Sequence, residues 1–294
     1  MNSAFRVAFA LAYAAGNFVY KRKHQAVPQK TVLGNVRRKK ISMRSVSVLV
    51  STVVLSIVAS ACLAQEAKPD KQPRIIVTSP LAVTAGAPVK LTLRGLFLDD
   101  ITELKIGVTE IKVEIISKGK ATVPPNYEAK RIGDTQAEAK LTLPAETPPG
   151  RLSLVAVSAG GTSVPYEITV AKSDDLIEDK EPNDGFKTAQ LVAVGKTVVG
   201  TIGDARNVDV FEIKGLAGQK LVISVLASQA GSPLDPVLTL YDSAGQVIAG
   251  NDDSDGRDPR LEVVLGKSGS YFLSLQDAND TGGPHFAYLL KIAP

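Results

Sequence analysis

Apolar and polar residues alternate in short runs along most of the chain beyond residue 74. Side chains of a strand point in turn to its two faces, so a period of two predicts strands with one buried face. Gly and Pro clusters such as Pro148-Pro149-Gly150 and Gly160-Gly161 separate the runs and predict turns. In residues 74–171 the clearest runs are Val89-Leu91-Leu93, Val113-Ile115, Ala139-Leu141-Leu143, Leu152-Leu154-Ala156 and Tyr166-Ile168-Val170.

The same alternation returns after an acidic stretch near residue 180. Eight further runs begin at Thr197, Asp209, Lys220, Pro236, Gln246, Arg260, Ser270 and Phe286. Six or seven strands in about 100 residues favour an immunoglobulin-like sandwich for the first half. Eight short strands favour a jelly-roll-like sandwich for the second. The predicted fold class is therefore all-β.

Charge is unevenly distributed along the 294 residues. Residues 1–64 contain ten Lys or Arg and no acid, and the remainder contains 24 basic and 30 acidic residues. The net charge of +4 thus conceals an acidic body, which does not favour nucleic acid as a partner.

The basic segment has the three parts of an export signal. Arg37-Arg38-Lys39-Lys40 precedes an uncharged run over residues 46–61, which is followed by Ala-Cys-Leu-Ala. We interpret residues 1–64 as leader and signal peptide. Because Met43 would start a signal of ordinary length, residues 1–42 are either an extended basic region or a mis-assigned start.

Two processing outcomes remain open. Signal peptidase could cleave after Ala64, or residues 59–62 could act as a lipobox and leave Cys62 lipidated. An uncleaved span is less favoured, since the apolar run is shorter than the ~20 residues that a bilayer requires. We expect an exported protein in the periplasm, at the cell surface or outside the cell, with membrane contact only through the leader or a lipid on Cys62.

Short motifs in the body resemble two known families. Ile76-Val77-Thr78-Ser79-Pro80, Val83-Thr84-Ala85-Gly86 and Leu93-Arg94-Gly95-Leu96-Phe97 resemble an IPT/TIG-type immunoglobulin-like domain over residues 74–171. Glu181-Pro182-Asn183-Asp184, Val208-Asp209-Val210-Phe211 and Gly269-Ser270-Tyr271-Phe272 resemble the bacterial pre-peptidase C-terminal domain over residues 181–294. We expect polar linkers at residues 65–73 and 172–180. The second family is usually an appendage of secreted hydrolases.

Catalytic chemistry is poorly supported. A nucleophile activated by histidine needs an imidazole, and the body contains only His285, which we interpret as an exposed turn residue. A zinc site needs three or four His or Cys ligands, which the body lacks. We therefore predict no enzymatic activity.

Calcium is the best-supported chemistry. Asp179, Glu181, Asn183 and Asp184 place four oxygen-bearing side chains within six residues, and hard cations prefer oxygen ligands. Calcium-binding relatives of the pre-peptidase family use such a segment together with loop aspartates. That resemblance implies Asp209 as a further ligand, with Asp204 or Asn207 beside it. The alternative is a solvated linker.

Two further features complete the expectations. We interpret the second acidic turn, residues 251–256, as a polar hairpin loop. Tyr241, Phe272 and Tyr288 could anchor a ligand or point into the core.

The predicted function is a non-catalytic binding, adhesion or accessory module for an extracellular protein or polysaccharide. The alternatives are a domain that handles secretion or maturation of a protease and, less favoured, a stand-alone hydrolase.

Overall fold

The computed structural model describes residues 71–107, 111, 113–124 and 127–294. The predicted leader, its cleavage site and Cys62 lie outside the described residues. The described part is almost entirely β-structure arranged in four sheets, in agreement with the predicted all-β class. None of its helices is long and apolar enough to cross a membrane.

The first sandwich, residues 74–171, consists of two sheets. Its strands are β1 Arg74–Ser79, β2 Ala82–Thr84, β3 Pro88–Leu96, β4 Ile101–Ile106, β5 Val113–Lys120, β6 Thr135–Thr142, β7 Gly150–Ser158, β8 Gly161–Thr162 and β9 Tyr166–Ala171, with a one-turn helix α1 at Ala129–Ile132. One sheet has the order β1-β3-β6-β5 and the other β2-β9-β7-β4, with β8 beside β7. Alternate residues of β6 are buried, so Ala137, Ala139 and Leu141 face Leu104, Leu154 and Ile168 of the opposite sheet within one apolar core.

The second sandwich, residues 176–293, also has two sheets. Its strands are β10 Leu176–Glu178, β11 Gln190–Leu191, β12 Thr197–Thr201, β13 Val208–Gly215, β14 Lys220–Leu226, β15 Pro236–Asp242, β16 Val247–Asn251, β17 Arg260–Val264, β18 Gly269–Asp277 and β19 Ala287–Ala293. The strand orders are β10-β12-β19-β14-β17 and β11-β13-β18-β15-β16. All eight predicted runs are present, and each begins within one residue of its predicted start.

The two short strands β10 and β11 were not predicted. Each pairs in parallel, β10 with β12 and β11 with β13, so the chain between them passes from one sheet of the second sandwich to the other. This crossing segment, residues 179–189, contains most of the acidic residues singled out above.

A small apolar cluster joins the two sandwiches. Val77, Leu81 and Ala82 of the first sandwich pack with Val199, Ala287 and Leu289 of the second. Tyr166 donates a hydrogen bond from its hydroxyl to the carbonyl of Ala230 at 2.9 Å. The described residues form part of one compact unit.

Candidate metal centre

Three carboxylates converge where the crossing segment begins. Asp179 directly follows β10, and its backbone N–H donates to the carbonyl of Val199 on β12 at 3.0 Å. Asp209 lies on β13 and is fully buried. One carboxylate oxygen each from Asp179, Glu181 and Asp209 lies within 4.8 Å of the others. The crossing segment thus brings acids from both sheets to one point.

Asn183 lies buried beside these carboxylates. Its side-chain amide donates to Asp179 Oδ1 at 2.7 Å, and its backbone N–H donates to Glu181 Oε2 at 3.0 Å. Its own backbone carbonyl accepts a hydrogen bond from Val210 N, which anchors the segment to β13. Within the described part of the chain, no hydrogen-bond donor reaches the buried Oδ1 atom of Asn183. An orphaned buried acceptor is uncommon in native proteins and points to a missing partner.

Asn207 approaches from the loop before β13. Its side-chain amide donates to Asp209 Oδ1 at 2.5 Å and, at the longer distance of 3.4 Å, is directed at Glu181 Oε1. Asp204, the other candidate from this loop, is exposed. The loop therefore contributes Asn207 to the cluster.

Tyr288 and Gly200 form the base of the cluster. Tyr288 is fully buried on β19, and its hydroxyl donates to Asp209 Oδ2 at 2.5 Å. A Cβ atom at Gly200 would lie 2.4 Å from the Tyr288 hydroxyl and 2.7 Å from Asp179 Cβ. Only glycine therefore allows the tyrosine and the aspartate to come this close to β12.

The carboxylates oppose one another electrostatically. Burial, followed by the negative charge of Asp179, raises the pKa of Asp209 to about 8. Burial and the charge of Glu181 raise the pKa of Asp179 to about 6. Burial, reinforced by Asp209, holds the pKa of Tyr288 well above its ordinary value. A buried group of this kind favours a proton or a cation.

Asp184 lies outside the group of three carboxylates, and its side chain is exposed. Of the five residues predicted as ligands, the structure thus brings together Asp179, Glu181, Asn183 and Asp209. Tyr288 and Gly200 were not predicted to belong to the centre. A glycine inside the strand pattern of β12 was the available signal for Gly200, since such glycines often mark a close approach.

A buried carboxylate with a different role lies two residues beyond the second acidic turn. Asp258 accepts hydrogen bonds from the backbone N–H groups of Ala227, Ser228 and Gln229 at 2.7–3.1 Å. Asp252, Asp253 and Asp255 of the same turn are exposed. Asp258 thus fixes the short loop after β14.

His285 is half-buried, so the prediction of an exposed turn residue was wrong. Its Nε2 atom lies 3.0 Å from Arg94 Nη1, because the turn before β19 packs against the first sandwich. Burial, with a contribution from Arg94, lowers the pKa of His285 to about 4.

The candidate surface aromatics are largely covered. Tyr288 is in the core, and Tyr241 is 8% exposed. Phe186 of the crossing segment stacks on Phe272 with a centroid distance of 4.5 Å and meets Tyr241 edge-on at 5.2 Å. These rings therefore attach the crossing segment to the outer face of the β11-β13-β18-β15-β16 sheet.

The chain is similar in sequence to part of a much longer protein. It is 33% identical over 136 residues to a protein of Deinococcus radiodurans named a probable subtilase-type serine protease. The match covers 44% of this chain and 19% of that protein, so the chain spans about a fifth of the length of the curated relative it matches. No protein-family model matches the chain.

The chain has distant likeness to solved structures of other bacterial proteins. The pre-peptidase C-terminal domain of a Bacillus anthracis collagenase is 18% identical with a TM-score of 0.30, over 35% of this chain and 93% of that one. SGBP-B of the Bacteroides ovatus mixed-linkage glucan utilization locus, in complex with a heptasaccharide, is 8% identical with a TM-score of 0.25, over 75% and 74%.

Proposed function

We propose that this protein is an exported, non-catalytic binding module whose second sandwich is held rigid by calcium at the acidic centre. The observation that carries this proposal is the convergence of Asp179, Glu181 and Asp209 around the buried amide of Asn183. In the same proposal the first sandwich is of the IPT/TIG-like immunoglobulin type and the second of the pre-peptidase C-terminal type.

The donor set suits calcium. Calcium takes six to eight oxygen ligands and accepts carboxylates, amide oxygens, backbone carbonyls and water in flexible geometry. Asp179, Glu181 and Asp209 would supply carboxylate oxygens, and Asn183 would supply an amide oxygen. The unpartnered Asn183 Oδ1 supports this assignment, because an unsatisfied buried acceptor costs about 1–3 kcal/mol.

A cation at this centre would link the two sheets of the second sandwich. Asp179 is joined to β12 of one sheet, and Asp209 belongs to β13 of the other. A divalent ion between them would remove the repulsion between the carboxylates and tie the crossing segment to both sheets. Phe186, five residues beyond Glu181, would be stabilised in its stack on Phe272 by the same ordering.

Non-catalytic binding is the function we infer from the remaining chemistry. His285, the imidazole of the described part, is engaged with Arg94 and lies in a turn between the sandwiches. A general base needs an imidazole aligned with a nucleophile. The partner we propose is an extracellular protein or polysaccharide, with the chain in the periplasm, at the cell surface or outside the cell.

Thermal unfolding of the full chain with millimolar calcium or with excess EDTA tests the cation. A ligand at a hundred times its Kd adds about 2.7 kcal/mol of stability, which raises Tm by several degrees in a protein of this size. Glu181→Gln should abolish the rise. Glu178→Gln, which removes an exposed acid three residues earlier, should retain it. Equal Tm values in calcium and EDTA would overturn the calcium proposal.

A second function draws on the sequence relative. Similarity to a subtilase-type protease supports a domain that assists secretion or maturation of such an enzyme. The immobilised chain would then retain a subtilase precursor and not matrix proteins or polysaccharides, whereas an adhesion module would show the reverse. Turnover in a broad panel of protease and glycosidase substrates would instead indicate the less favoured stand-alone hydrolase.

A further inference from the structure

The joint between the two sandwiches contains a buried cation. Arg94 on β3 is only 4% exposed. Its Nε and Nη2 atoms donate to the carbonyl of Gly133 at 3.2 and 3.1 Å, and Nη2 also donates to the carbonyl of Thr122 at 2.5 Å. These acceptors belong to the first sandwich and hold the guanidinium in place, so that Nη1 is directed at the second sandwich.

His285 of the second sandwich meets this guanidinium. The distance from Arg94 Nη1 to His285 Nε2 is 3.0 Å. Arginine offers only donors and stays protonated in proteins. The contact is therefore a hydrogen bond only when Nε2 carries no proton, which assigns His285 as neutral with its proton on Nδ1. The backbone carbonyl of His285 accepts a hydrogen bond from Ser232 Oγ at 3.3 Å, which helps to fix the turn.

The neighbouring contacts across this joint are neutral. The Tyr127 hydroxyl lies 3.0 Å from Thr281 Oγ1, and the ring of Tyr127 meets Phe286 edge-on at 6.1 Å. The charged groups that act here are Arg94 itself and Asp134, which follows α1 and attracts the guanidinium. A proton on His285 would consequently face a fixed cation.

We propose that the Arg94–His285 contact is an acid-sensitive latch between the two sandwiches. Protonation of His285 Nε2 removes the acceptor and places two cations at hydrogen-bond distance, which opens this side of the joint. The apolar cluster of Val77, Leu81, Ala82, Val199, Ala287 and Leu289 keeps the sandwiches associated on its own side. The latch would alter their relative orientation and leave each fold intact.

The direction of the pH effect follows from the lowered pKa of His285. Burial and Arg94 bring this pKa to about 4, whereas a free imidazole titrates at about 6.5. The closed latch is therefore fully favoured above pH 6.5. It weakens by about tenfold for each pH unit below that value, until His285 is protonated even in the closed state.

Resonance energy transfer between the two sandwiches tests the latch. The full chain would carry Cys62→Ser and His24→Gln, with one dye each at Arg151→Cys and Lys220→Cys, both exposed positions. Excess EDTA removes any contribution of calcium. We expect transfer efficiency to change between pH 6.5 and pH 4 while far-ultraviolet circular dichroism stays constant.

Two variants make the result specific. His285→Gln retains an amide oxygen that can accept from Arg94 but cannot be protonated, so its transfer efficiency should stay at the neutral-pH value. Tyr127→Phe removes the bond to Thr281 without adding a titrating group, so opening should begin at a higher pH. An acid-induced change of equal size in His285→Gln would overturn the proposal, as would a constant signal in the parent.

Discussion

Residues 178–184 and residues 251–258 each contain four carboxylates, and the second sandwich uses the two stretches differently. In the first, Asp179 and Glu181 face Asp209, and no backbone N–H donor satisfies Asp209 in the described contacts. In the second, the buried carboxylate of Asp258 receives three backbone N–H groups. The two stretches are therefore equally acidic, and they differ in the hydrogen-bond donors that their buried carboxylates receive.

The difference concerns what neutralises a buried negative charge. Three backbone dipoles stabilise the Asp258 carboxylate within the fold itself. The Asp179–Glu181–Asp209 group instead receives amide and hydroxyl donors that are shared among repelling acids, and no described residue donates to Asn183 Oδ1. The hydrogen bonds to Asp258 therefore satisfy its carboxylate within the fold, whereas the Asp179–Glu181–Asp209 group favours an external cation or a proton.

Asp258→Ala should have the largest effect. It would leave the N–H groups of Ala227, Ser228 and Gln229 without their acceptor, and each loss costs about 1–3 kcal/mol. We expect the free energy of unfolding, measured with urea, to fall by about 3 kcal/mol or more, equally in calcium and in EDTA. Asp252→Ala, which removes an exposed acid of the same stretch of residues 251–258, is the matched control. If the free energy of unfolding fell only in calcium-containing buffer, residues 251–258 would bind a cation as well.

Asp209→Asn should remove the calcium effect. The amide keeps the size of the side chain but removes the buried charge between Asp179 and Tyr288. The stabilisation of about 2.7 kcal/mol expected at a hundred times Kd should disappear. In EDTA at pH 8 the variant should be at least as stable as the parent, because it no longer buries a repelled carboxylate. A calcium-induced rise in Tm as large as that of Asp252→Asn would exclude Asp209 as a ligand.

The strands of the second sandwich show which parts of the fold can be predicted from the sequence. The eight long strands follow from period-two patterns and glycine turns, so their starts are predicted within one residue. β10 and β11 are only three and two residues long, too short for a periodic signal. Their parallel pairing sets which acids meet, and that pairing depends on contacts remote in sequence.

The residues that form the acidic centre likewise depend on contacts that the local sequence does not reveal. Asp179 and Asp184 are both aspartates of the same acidic stretch, yet Asp179 is half-buried and joined to β12 by its backbone, whereas Asp184 is exposed. Tyr288 and Gly200 are brought opposite each other by the antiparallel pairing of β12 with β19, strands that lie far apart in the sequence. Likewise, the sequence around His285 indicates a turn, and nothing near it indicates that Arg94, 191 residues away, will cover it.

Calcium affinity should rise with pH. In the absence of metal the raised pKa values of Asp179, about 6, and Asp209, about 8, mean that the folded chain retains protons the unfolded chain has lost. The stability in EDTA should therefore decrease as pH rises from the ordinary carboxyl pKa to about 8. Calcium must displace such a proton, so its Kd should tighten by about tenfold per unit between pH 6 and pH 8 for each proton released. Calorimetry in buffers of different ionisation enthalpy would count those protons. An affinity independent of pH would show that Asp179 and Asp209 hold no proton that calcium must displace.

Asp184→Ala should have the smallest effect on the calcium-induced rise in Tm. It tests whether the location of an acid in the fold, rather than the acidity of the stretch, decides its role. The residue adjoins Asn183 and belongs to the same acidic stretch, but its exposed side chain lies outside the three-carboxylate group. Water already solvates such a carboxylate, so its loss removes neither a ligand nor a buried contact. We expect the calcium-induced rise in Tm to match that of the parent within about one degree, whereas Glu181→Ala abolishes it. If both substitutions abolished the rise, the crossing segment would have to rearrange on binding the ion so that Asp184 turns inward.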